Sequence, residues 1–64
     1  MNRVKEYRLK KRMTQEQLAK GSTVSRTIIS ALENNKPIVI TNITMQKIAT
    51  ALDKKVPTIF YRND

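Results

Sequence analysis

The sequence predicts an all-α domain of five short helices, and three observations carry that prediction. Apolar residues recur at helical spacing, most clearly Met45, Ile48, Ala49 and Leu52, which fall at i, i+3, i+4 and i+7. Capping residues precede such stretches, while Gly, Asn and Pro separate them. No period-2 alternation competes with this pattern.

Residues 3–12 suit a first helix, with Val4 and Tyr7 facing inward and Arg and Lys outward. Thr14 and Gln17 form a T-x-x-Q capping box that starts a second helix running to about Lys20. Gly21, Ser22 and Thr23 punctuate the chain, and Ser25 is the N-cap of a third helix ending near Glu33. Asn34, Asn35, Lys36 and Pro37 break that helix, because Asn tolerates left-handed geometry and Pro cannot continue it. Thr41 or Asn42 caps the fourth helix, and a last turn over Val56–Tyr61 supplies Ile59 and Phe60 as a lid. Lys54 and Lys55 close the fourth helix and complement its dipole.

The 64 residues make one domain, 1–64. A chain of this size buries only about 60% of its unfolded surface, so it needs tight helix packing or a partner chain. Thirteen Lys and Arg against five acids give a net charge of +8, which favours polyanionic partners. Arg3, Lys5, Arg8, Lys10, Lys11 and Arg12 crowd the start. Tyr7, Phe60 and Tyr61 are too few aromatics for a single-strand stacking platform, so duplex DNA comes first. With no Cys and no His, disulfides, thiolate metal sites and the usual general base are excluded, and no metal or cofactor is expected. Glu6 and Glu16 stand alone, without a nucleophile–base pair, so enzymatic activity is not expected. No apolar run approaches the roughly 20 residues of a membrane span, and no signal peptide is visible. The expected location is the cytoplasm, with no membrane partner.

Helical geometry divides the third helix sharply. Val24, Ile28, Ile29 and Leu32 occupy an arc of about 140°, with Arg26, Thr27 and Ser30 opposite. Since the apolar arc must be buried, Arg26, Thr27 and Ser30 are the exposed set. Arg reads guanine bidentately, Ser and Thr read several bases, and the Thr methyl meets the thymine methyl. Two helices joined by a tight turn over about residues 14–33 form a helix-turn-helix.

The pattern T-Q-x-x-L-A … V-S-x-x-x-I-S-x-L-E-N is present as Thr14, Gln15, Leu18, Ala19, Val24, Ser25, Ile29, Ser30, Leu32, Glu33 and Asn34. A later K-I-A-x-A-L is present as Lys47, Ile48, Ala49, Ala51 and Leu52. Over residues 3–60 the chain thus resembles the lambda-repressor-like, Cro/Xre-type helix-turn-helix family. The resemblance implies a cytoplasmic, sequence-specific regulator of transcription, a dimeric repressor of bacterial or phage origin. By the same resemblance, Ser25, Arg26, Thr27 and Ser30 face the major groove. Gln15 donates to a phosphate and buttresses the recognition helix, and Asn34 and Lys36 touch backbone phosphates. Arg8 and Glu33 form a structural ion pair. The family's glycine before the Val24 position is here Thr23, and the glycine before Met13 is here Arg12. Either Thr23 takes a positive φ, at about 1 kcal/mol or more, or the turn is reshaped, or the second helix ends at Gly21.

Lys10, Lys11 and Arg12 are either a phosphate clamp or a solvated face. Ile38, Val39 and Ile40 either pack back over the third and fourth helices or form a homodimer contact with Ile43, Phe60 and Tyr61. The second option follows from similar proteins, where this loop and the chain end lie near the two-fold axis. A dimer then expects a palindromic operator with half-sites about one helical turn apart. A rival reading keeps the fold but makes it a protein-interaction module, an antitoxin or an anti-repressor subunit. A third is sequence-independent binding to the chromosome.

Overall fold

The computed structural model describes residues 2–60. Its five helices are α1 (Val4–Lys10), α2 (Gln15–Ser22), α3 (Arg26–Glu33), α4 (Asn42–Ala51) and α5 (Val56–Phe60). No strand occurs among the described residues.

Local chemistry sets most of the helix starts. Thr14 completes the capping box: its hydroxyl accepts from Gln17 N at 3.0 Å, and Gln17 Oε1 accepts from Thr14 N at 2.9 Å. Ser25 and Thr41 cap α3 and α4 by accepting from Ile28 N and Thr44 N. For α1 the cap comes from Asn2, whose Oδ1 accepts from Val4 N at 3.0 Å.

Three helix ends share one geometry. After α1, Met13 N donates to Arg8 O and Arg12 N to Leu9 O; after α3, Lys36 N donates to Ala31 O and Asn35 N to Leu32 O. After α4, Lys54 N donates to Ala49 O and Asp53 N to Thr50 O. This is the Schellman arrangement, and it places Arg12, Asn35 and Asp53 in the left-handed region at φ 55°, 54° and 57°. The left-handed turn at Arg12 is why α1 stops at Lys10 rather than 12.

Thr23 ends α2 with φ 58°. Of the three arrangements open for this turn, the chain thus takes the positive φ at Thr23. Gly21 lies inside α2, which runs two residues beyond Lys20. Ser22 is buried at that end: its hydroxyl donates to Leu18 O at 2.7 Å, one turn back, and its oxygen accepts from Val24 N.

The core is Val4, Leu18, Val24, Ile29, Leu32, Ile48, Ala49, Leu52 and Ile59. α2 packs on α3 and α4, α4 on α5, and α1 on α3 and α5. The N-terminal segment is pinned twice, by Asn2 Nδ2 donating to Leu32 O and Arg3 N donating to Ile59 O. Among the described residues no buried side-chain polar atom lacks a partner, and no helix is long and apolar enough to cross a membrane.

Candidate nucleic-acid interface

The apolar arc of α3 turns inward, with Val24, Ile29 and Leu32 buried and Ile28 half-buried. Arg26 and Thr27 are exposed and Ser30 is half-buried on the opposite side. A shallow cleft of about 420 Å³ runs along that side, lined by Gln15, Arg26, Thr27, Ser30, Ala31 and Lys36. It unites residues from α2, α3 and the segment after α3. Ala31 is the member that residue chemistry did not single out. Its signal was angular, since 100° per residue puts it about 40° from Thr27 on the same stripe.

Glu33 lies at the edge of the buried arc, its side chain only 3% exposed. Arg8 grips it twice, Nε to Oε2 at 2.6 Å and Nη2 to Oε1 at 3.0 Å, while Arg8 Nη1 donates to Met13 O. Burial pushes the Glu33 carboxyl up, but hydrogen bonds from Arg8 and Gln15, with the charges of Arg8 and Lys5, outweigh it. The carboxyl is held below its ordinary range. The bond to Glu33 raises Arg8 in turn, against the opposing effect of burial.

The same carboxylate reaches the exposed face. Gln15 Nε2 donates to Glu33 Oε1 at 3.2 Å, and Gln15 Oε1 accepts from Arg26 Nε at 3.4 Å. Because Glu33 can only accept, it fixes which end of the Gln15 amide points to Arg26. Arg26 is therefore approached through Nε, leaving its terminal nitrogens as a two-pronged donor edge.

The other expected contacts are placed unevenly. Ser25 is exposed at the start of α3, with its hydroxyl occupied as a cap. Asn34 is exposed and donates through Nδ2 to Ser30 Oγ at 3.4 Å. Lys10 and Lys11 are not part of the cleft. Lys10 Nζ lies 3.4 Å from Glu6, and Lys11 Nζ lies 2.6 Å from Asp53 in the α4–α5 turn.

The Ile38–Ile40 segment divides. Ile40 and Phe60 are half-buried and pack against the core, whereas Val39 is 98% exposed and Ile43 68%. Ile38 is exposed, less so than either, at 37%. Tyr61 lies outside the described residues.

A family model described as helix-turn-helix matches residues 4–59. No curated protein and no solved structure matches the chain.

Proposed function

Because the chain belongs to the Cro/Xre-like helix-turn-helix family of DNA-binding regulators, we propose that it is a sequence-specific, dimeric repressor reading a palindromic operator. The observation that carries this reading is the cleft joining Gln15, Arg26, Thr27, Ser30 and Lys36. Arg26 offers a two-pronged edge suited to guanine O6 and N7, and Thr27 and Ser30 supply a methyl and hydroxyls for neighbouring bases. Ser25 begins the helix beside them. Lys36 and Asn34 flank the reading stripe as phosphate contacts, and Gln15 joins them through the amide hydrogen that Glu33 leaves free.

Val39 and Ile43 support the dimer. Large apolar side chains exposed on so small a domain find cover in a second copy. Ile40 and Phe60, also in the expected dimer set, contribute differently and brace the segment from inside. The exposed pair also favours a second reading, in which another protein docks there.

Selection from random duplex DNA by the purified protein, repeated at several salt concentrations, separates the readings. An enriched palindrome is the expected result. Salt-sensitive binding with no enriched motif would reduce the protein to an electrostatic DNA binder. Failure to bind any duplex would favour the protein-docking module.

A further inference from the structure

We propose that the cleft between α1 and the α4–α5 turn is a second, sequence-independent site for the phosphate backbone of duplex DNA, so that the protein joins two duplex segments. This rests on the DNA-binding reading above and adds a second face to it. The cleft, of about 460 Å³, is lined by Tyr7, Lys10, Lys11, Leu52, Asp53 and Lys54. None of these residues lines the Arg26 cleft.

Three lysines line it, and two of them bring their ammonium groups to one ring. Lys10 Nζ lies 4.9 Å and Lys54 Nζ 5.4 Å from the centroid of the Tyr7 ring. The ring quadrupole holds both cations in place without neutralising them. Lys11 and Lys10 have acidic neighbours in Asp53 and Glu6, but both pairs are open to solvent. Exposed pairs of this kind are weak and salt-screened, and they give way to a polyanion.

The occupant follows from the chemistry. Lysines grouped along one cleft attract phosphodiester oxygens and release counterions on binding them. Unpaired bases fit poorly, because Tyr7, the aromatic ring among the described residues that line the cleft, already carries two cations. Geometry calls for a second segment rather than a wrapped one. Around α1, Lys10 lies about 160° from Arg8, whose guanidinium faces α3. A duplex seated along α3 does not fold back around a body 20 Å across, given a persistence length of about 150 bp.

The test fixes a random duplex to beads, saturates it with protein, and adds a labelled second random duplex at low salt. Wild type is expected to retain the labelled duplex several-fold above protein-free beads. The variant Lys10→Gln/Lys11→Gln/Lys54→Gln is expected to saturate the bead-held duplex yet lose that retention. Circular dichroism checks its helices, and Lys10→Gln/Lys54→Gln, which keeps the Lys11–Asp53 pair, is expected to show the same loss more weakly. Undiminished retention by the triple variant overturns the proposal. So does an equal loss of binding to the first duplex, which would assign the lysines to that contact. Retention abolished by Val39→Asp but not by the lysine changes would mean that a protein dimer does the joining. Lysine-dependent binding of polyglutamate without duplex capture would make an acidic protein the occupant and also overturn it. A wild type that fails to bind the bead-held duplex at all removes the DNA reading itself, and this proposal with it.

Discussion

Glu33 holds Arg8 through both carboxylate oxygens, at 2.6 and 3.0 Å, and shares one of those oxygens with Gln15. Three helices therefore meet at one carboxylate, and the line of bonds continues outward to Arg26. Stability and presentation of the exposed face depend on the same group.

Removing one partner of that pair leaves a charge stranded in the fold. Arg8→Ala is expected to cost about 3 kcal/mol or more, against a total of roughly 3–10 kcal/mol for a domain of this size. Urea denaturation monitored by helical signal reads the loss directly. A change below about 1 kcal/mol would mean that the pair is dispensable.

Acid should loosen the domain through Glu33. Its carboxyl is depressed in the folded state, so its contribution is present above the unfolded value of about 4.3 and is lost as pH falls through the folded value. Thermal unfolding followed from pH 7 down to pH 2 is expected to show this fall. Glu33→Gln should have lower stability at neutral pH and a visibly shallower acid slope.

Glycine placement offers a stability gain. Thr23 is β-branched and sits at φ 58°, which is unfavourable for such a residue. Gly21 occupies a helix interior where an added Cβ meets only Met13 Cε at 4.0 Å. Thr23→Gly and Gly21→Ala are each expected to stabilise by about 0.5–1 kcal/mol. In combination they should raise Tm by about 4–16 °C for a domain this small. Lower Tm in Thr23→Gly would show that its hydroxyl bond to Ser22 O outweighs the backbone strain.

Once an operator is known, the exposed residues should separate by role. Arg26→Ala is expected to cost about 1–3 kcal/mol and relax preference at one base position, and Lys36→Ala to weaken all sequences alike. Gln15→Ala should blur the Arg26 position more than it weakens overall affinity, since it removes the acceptor that orients the guanidinium. Binding across a set of single-base operator variants distinguishes these patterns.

Val39→Asp places a charge at a side chain that is 98% exposed in the single chain. It should leave helical content intact and shift sedimentation from dimer to monomer. An unchanged sedimentation coefficient would argue against this contact.

The pattern of apolar and capping residues by itself determined that there are five helices, roughly where they start, and which side of α3 faces out. Those are local properties, because helical period and N-cap chemistry act within a few residues. Where helices stop was less legible. Arg12 and Thr23 stand where the resembled family has glycine, which left the shape of the turn at Thr23 open, and only the folded chain settles it, with a positive φ at both and at Asp53. Ile38, Val39 and Ile40 read alike as a sequence, yet only packing against the core separates Ile40 from Val39. Likewise the run Lys10-Lys11-Arg12 reads as one basic patch. The fold turns Lys10 and Lys11 toward Tyr7 and Asp53, and Arg8 toward Glu33. Successive helical residues diverge by 100°, so neighbours in sequence face different partners once the helices pack.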